Sequence, residues 1–224
     1  MSPEHGPVSR PALVLVGPPG AGKTTVGRVL ARRIGATFTD VDALIVERAG
    51  KPIAAMFTED GEDAFRALER EVVAEALATA RGVLALGGGS VLAASTRERL
   101  RGHHVVLLWV GLADGIRRTG MSTARPLLAG VNPRATFKAL LDARAPLYRE
   151  VATVEIETSR RNPGQVARAV LEALGEGPTA ETDDEPGDLN DQPMPNDEPL
   201  LPNPTFGPPS EVSVAVGDND DRRQ

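Results

Sequence analysis

The sequence contains no cysteine and only three histidines in 224 residues. That excludes a disulfide framework and thiolate zinc sites, and it argues against an imidazole-based metal site. Aromatic residues make up 3%, with one Trp and one Tyr. A single-stranded nucleic-acid surface needs stacking platforms, so no nucleic-acid partner is expected. No apolar run approaches the roughly 18 residues that cross a bilayer. The opening MSPEHGPVSR also lacks the basic start and apolar stretch of an export signal. The expectation is a cytoplasmic chain without a membrane partner.

Charge is unevenly spread. Residues 176–224 hold 13 of the 31 acidic residues and 2 of the 25 basic ones, leaving 18 acidic against 23 basic in residues 1–175. The part before the tail thus carries about +5, which favours anionic ligands. The tail also holds nine of the 19 prolines and little apolar periodicity. Burial there cannot offset ordering entropy, so 176–224 is expected to be disordered, and nothing in it identifies a protein partner. The organisation expected is a flexible 1–10, one domain over 11–175, and the acidic, proline-rich tail.

Within 11–175, short apolar runs alternate with helical spacing. Residues 11–16 read as a strand, 24–34 as a helix, 37–40 as a short strand, and 43–49, 53–58 and 62–80 as helices. Residues 83–86 and 105–110 are continuous apolar runs, as strands buried on both faces require. Residues 151–157 read as the last strand and 163–174 as a closing helix. The pattern predicts an α/β fold, a parallel sheet with helices on both faces. The arginine-rich segment 117–149, with its helix breakers, reads as a cover over an anionic ligand, with a mobile lid about 120–132. The plainer reading is a solvated helical face.

Gly17-Pro18-Pro19-Gly20-Ala21-Gly22-Lys23-Thr24 matches G-x-x-x-x-G-K-[ST] between a strand and a helix. Glycines let successive N–H groups converge on phosphate oxygens, and the following helix adds its positive end. Gly20, Ala21, Gly22, Lys23, Thr24 and Thr25 are therefore candidates for binding ATP. Lys23 would bridge the β- and γ-phosphates, and the Thr24 hydroxyl would meet Mg²⁺. The loop does not identify the acceptor. Asp40 and Asp42 flank one residue at a strand end, which in extended geometry puts both carboxylates on one side. Asp42 alternatively caps the next helix. Arg66 stands four residues after Glu62 and three before Glu69, the spacing of a helix-surface ion pair. Gly87, Gly88 and Gly89 end a buried strand where a polar ligand can touch backbone.

In order, Phe38-Thr39-Asp40-Val41-Asp42, Phe65-Arg66-Ala67-Leu68-Glu69, Leu86-Gly87-Gly88-Gly89, Arg125-Pro126-Leu127-Leu128 and Arg144-Ala145-Pro146-Leu147-Tyr148 resemble the shikimate kinase family over about residues 13–174. The segments Arg117-Arg118-Thr119-Gly120 and Arg160-Arg161-Asn162-Pro163-Gly164 resemble that family's nucleotide-base segments. The resemblance implies a P-loop fold like that of nucleoside monophosphate kinases. It implies transfer of phosphate from ATP to the shikimate 3-hydroxyl, in aromatic amino-acid biosynthesis. It further implies Asp40 on Mg²⁺, Asp42 on the acceptor hydroxyls, Arg66 and Arg144 on the acceptor carboxylate, and Arg125 between acceptor and transferring phosphate. Arg118, Arg161 and Pro163 are the candidates for the base, and 40–69 is the acceptor region. The acidic tail is foreign to the family pattern. Two other readings stand beside this one: a different P-loop kinase, for gluconate or a nucleoside monophosphate, and a nucleotide-dependent binding module without catalysis.

Overall fold

The computed structural model describes residues 11–119 and 132–175, all within one compact unit that ends at Thr179. In chain order the elements are β1 (Leu13–Val16), α1 (Lys23–Arg33), β2 (Phe38–Asp40), α2 (Val41–Ala49), α3 (Ile53–Glu59) and α4 (Glu62–Thr79). They continue with β3 (Val83–Ala85), a 3-10 turn (Ser90–Leu92), α5 (Ala94–Leu100), β4 (Val105–Trp109), α6 (Leu112–Thr119), α7 (Pro133–Val151), β5 (Val154–Glu157) and α8 (Pro163–Ala173). The strands form one parallel sheet in the order β2-β3-β1-β4-β5. Helices cover both faces, the nucleoside-monophosphate-kinase-like arrangement expected.

The uninterrupted apolar runs serve both faces because strand side chains alternate. Val14 and Val16, Leu84 and Leu86, and Val105 and Leu107 enter one core, packed by α2, α3, α4, α5 and α7. Leu13, Leu15, Val83, Ala85, Val106 and Leu108 enter the other, closed by Val26 and Leu30 of α1 and Val166 and Val170 of α8. Leu107 is completely buried, so Leu107→Ala would cost about 2–5 kcal/mol. Gly27 brings α1 onto the sheet: a Cβ there would lie 2.4 Å from the Phe38 ring.

Register sets the position of the loops. Leu15 and Asp40 both pair with Ala85, so β1, β2 and β3 end side by side. The chain that follows each strand therefore leaves the sheet at one rim, where open α/β sheets bind ligands.

Two expectations are corrected. Part of the arginine-rich segment is the 19-residue helix α7, with Pro133 in its first turn under an Asn132 side-chain cap. Phe137, Leu141 and Tyr148 share its buried face, and their packing outweighs the one backbone hydrogen bond lost to Pro146 inside the helix. The last strand begins at Val154 rather than Val151, because Val151 completes α7 and packs against the first core. The closing helix starts as expected at the Asn-Pro boundary, where Asn162 and Gln165 form a reciprocal capping box. The lid, apart from Asn132, and the segments 1–10 and 176–224 lie outside the described residues. Among the described residues no helix is long and apolar enough to cross a membrane.

Candidate active site

The phosphate loop follows β1. Gly20 and Gly22 stand at φ 78° and 87°, in the left-handed region that only glycine enters at little cost. Gly22 is the N-cap of α1 and brings no side chain to cap the helix, and the first turn carries no acidic residue. The first N–H groups of α1 have no intrahelical acceptor and face the space above the loop. Its positive end is open to an anion. Lys23 donates from Nζ to the carbonyls of Gly17 and Pro18, at 2.8 and 3.2 Å, which lays the ammonium along the loop. Thr24 donates its hydroxyl to Asp40 Oδ2 at 2.7 Å. Two hard oxygen donors thus stand together beside the loop, a set suited to Mg²⁺.

The two aspartates are not alternate residues of one strand. Asp40 ends β2 and caps α2, with Oδ1 accepting the Asp42 backbone N–H at 3.0 Å. Asp42 lies in the first turn of that helix. The cap offered as the alternative role of Asp42 belongs to Asp40, whose extended backbone permits it. The carboxylates still share one region. Asp40 meets Thr24, and a Cβ on Gly87 would lie 2.6 Å from Asp42 Oδ1.

The glycine run joins the remaining parts. A Cβ on Gly87 would meet Asp42 and Glu69, one on Gly88 would meet the Pro19 ring of the phosphate loop at 3.2 Å, and one on Gly89 would meet Arg66 Nη1 at 2.3 Å. Each glycine admits a different neighbour. Arg66 pairs with both expected partners, Glu69 at 2.6 Å and Glu62 at 3.2 Å. Its side chain is 15% exposed and that of Glu69 5%, so this is no solvated surface pair. Its guanidinium lies over the Phe65 and Phe57 rings, 5.2 and 5.9 Å from their centroids. The three side-chain hydrogen bonds it makes leave two of its five N–H donors for a ligand. Arg144 reaches the same place from α7, donating Nη1 to the Gly88 carbonyl at 3.0 Å. Among the described residues no carboxylate pairs with Arg144, and a half-buried guanidinium in that state favours an anionic ligand.

On the other side of the loop, Ala21, Gly22, Thr25, Arg118, Arg161 and Pro163 line a cavity of about 280 Å³. Arg118 is fixed by the carbonyls of Thr158 at 2.9 Å and Gly20 at 3.3 Å. Asp114 braces this loop from α6. The Arg117 hydrogen bond, then the charges of Arg117 and Arg118 and a backbone hydrogen bond from Arg160, hold its carboxyl below the usual carboxylate range. Arg160 stands at φ 59°, a left-handed conformation that side chains seldom adopt. Another cleft, of about 390 Å³ between α2 and α4, is lined by Thr39, Leu44, Arg48 and Glu75 among others and holds none of the predicted site residues.

All the expected site residues but one thus gather at the rim. Arg125 lies outside the described residues. Three further residues had no expected role. The buried Ser90 donates to Glu69 Oε1 at 2.9 Å, Tyr148 donates to the Gly88 carbonyl at 2.5 Å, and Thr158 accepts from Arg118. Only Tyr148 left a signal, its i+4 spacing from Arg144.

A family model described as Shikimate kinase matches residues 19–175. The shikimate kinase of Saccharopolyspora erythraea is 64% identical over 73% of this chain and 94% of its own length, and that of Thermobifida fusca is 57% identical over 74% and 96%. Among solved structures, a shikimate kinase from Acinetobacter baumannii in complex with shikimate superposes with a TM-score of 0.71 at 40% identity, covering 75% of this chain and 94% of the other. The family model spans well over half of the chain, and the Saccharopolyspora and Thermobifida enzymes share more than half of the aligned residues, so the chain belongs to the shikimate kinase family.

Proposed function

We propose that residues 11–175 form a kinase unit that transfers the γ-phosphoryl group of ATP to a hydroxyl of shikimate. The observation that carries this reading is the glycine run, where an added Cβ would meet the phosphate loop at Gly88, Asp42 at Gly87 and Arg66 at Gly89. An acceptor seated there has its hydroxyl end at the Asp42 carboxylate and its carboxylate within reach of Arg66 and Arg144. Arginine suits the carboxylate because its planar fork matches two oxygens.

Phosphoryl transfer is mainly positioning and charge stabilisation. The loop N–H groups and Lys23 would bind the phosphates, with Lys23 leaving the Gly17 and Pro18 carbonyls for the β- and γ-oxygens. Asp42 would orient the attacking hydroxyl and accept its proton as the bond to phosphorus forms. Arg118, Arg161 and Pro163 would flank the base. Thr24 and Asp40 would hold Mg²⁺, which when bound neutralises charge on the phosphate oxygens.

The test is an ADP-release assay of the full chain with Mg²⁺, ATP and one acceptor at a time. Shikimate should support turnover at least a hundredfold faster than gluconate or any nucleoside monophosphate, about the rejection expected when a site built for one polar substrate meets another. Comparable turnover with gluconate would overturn the acceptor assignment. A chain ending at Gly175 should turn over at the full-length rate, and loss of activity would refute the domain limits.

A further inference from the structure

Glycines clear space at the acceptor site, but three in succession also make the most pliable backbone available. Something must hold that backbone in one orientation. The Gly88 carbonyl accepts two hydrogen bonds from α7, from Arg144 Nη1 at 3.0 Å and from the Tyr148 hydroxyl at 2.5 Å. Tyr148 is completely buried in the core beneath the site. A buried phenol is costly unless its hydroxyl finds a partner, and Gly88 is that partner.

We infer that Tyr148 is a positioning residue for the acceptor, acting through the peptide between Gly88 and Gly89. The described chain contains no cis peptide, so the carbonyl and N–H of this planar unit point opposite ways. Holding the Gly88 carbonyl on α7 turns the Gly89 N–H away from α7, and no described residue accepts that N–H. It is left as a backbone donor beside Arg66, whose guanidinium lies where a Gly89 Cβ would be. The same carbonyl anchors one N–H of Arg144, which fixes the direction of the rest of its fork. Gly88 also faces Pro19, which an added Cβ would meet at 3.2 Å, so the pinned peptide borders the phosphate loop as well as the acceptor arginines. The Ser90 N–H to Gly87 carbonyl bond closes the turn around this peptide, but such a turn survives a flip of its central peptide, so without the hydroxyl Arg144 is the side chain left to hold the Gly88 carbonyl in one orientation.

The inference rests on the shikimate reading, and the experiment separates the two. Tyr148→Phe keeps the ring and removes only the hydroxyl. The shikimate KM should rise about tenfold, the scale for one lost hydrogen bond and a buried acceptor left short, while the ATP KM stays within about twofold. Calorimetric titration with shikimate and no nucleotide should show the same loss. Leu100→Ala, in the same core but remote from the acceptor, should lower the melting temperature and leave both KM values alone. Because the two donors share one carbonyl, Arg144→Lys should cost less in the Tyr148→Phe background than in the native chain. The inference is overturned if Tyr148→Phe changes only the melting temperature, raises both KM values equally, or adds independently to Arg144→Lys. A native chain inactive on shikimate would instead overturn the functional reading.

Discussion

Replacing Gly87, Gly88 and Gly89 by alanine one at a time should give three different kinetic defects in otherwise folded proteins. None of the three has a left-handed φ, so alanine brings no backbone strain. Reduced freedom of the unfolded chain even offers about 0.4–1 kcal/mol. Stability should therefore change little, and the new methyl group decides the outcome by what it strikes. At Gly89 the Cβ would lie 2.3 Å from Arg66 Nη1 and 2.9 Å from Cζ, whereas such contacts settle at about 3.5–4.0 Å. The guanidinium must retreat by roughly 1 Å and give up its 2.6 Å bond to Glu69. It can do so because it is the end of a flexible side chain. A charged hydrogen bond is worth about 1.5–3 kcal/mol, so the shikimate KM should rise roughly 10- to 100-fold with the ATP KM unchanged. At Gly87 the Cβ would lie 2.6 Å from Asp42 Oδ1. Displacing the proton acceptor by that order of distance should lower turnover about 100-fold. At Gly88 the nearest atoms are those of Pro19 at 3.2 and 3.4 Å, a contact that a few tenths of an ångström relieves. Changes there should stay within about threefold, a fraction of the ~1.4 kcal/mol that separates a factor of ten. Steady-state KM for both substrates, turnover and melting temperature would be measured for each variant. If all three lose the same parameter in proportion, or lose only stability, the assignment of separate neighbours is wrong.

Lys23→Ala should abolish transfer while the melting temperature stays within a few degrees, since Lys23 is half-buried at the loop, where Nζ donates to the Gly17 and Pro18 carbonyls, and takes no part in either core; near-normal turnover would refute the phosphate-loop assignment. Arg144→Lys keeps the charge but loses the fork, so the shikimate KM should rise with the ATP KM spared, and equal rises would count against a carboxylate site. Asp42→Asn should reduce turnover by roughly 10²–10⁴, the range for a positioned acid or base, and a loss confined to stability would make Asp42 scaffold. The Arg149 hydrogen bonds hold Glu155 below its ordinary value. A carboxylate depressed in the folded state adds stability that is complete above its unfolded pKa and is lost as pH falls through the folded one. Melting curves of the native chain and Glu155→Gln should accordingly differ at neutral pH and converge in acid; a constant difference would show that the pair contributes nothing through charge.

The parts fixed by short-range chemistry were legible in the chain alone. The apolar runs of β1, β3 and β4, the Asn162-Pro163 start of α8 and the phosphate-loop pattern each depend on neighbours within a few residues, so sequence determined them, while the shikimate kinase resemblance came from the ordered segments around Asp40, Arg66, Gly87–Gly89, Arg125 and Arg144. The residue before each helix was less legible: Asp40 and Asp42 are two apart, and whether the strand extends through both or ends at the first is settled by Asp40 Oδ1 taking the Asp42 N–H. Helix α7 was obscured because Pro133 and Pro146 look like breaks until the packing of Phe137, Leu141 and Tyr148 outweighs them. Tertiary structure alone decided which side chains hold the site residues in place. Ser90 reaches Glu69 across 21 residues, Arg118 reaches Thr158 across 40, and Tyr148 reaches Gly88 across 60. Those bonds exist only after parallel strands have brought the loops to one rim, and a linear chain carries no local signal of a partner that distant.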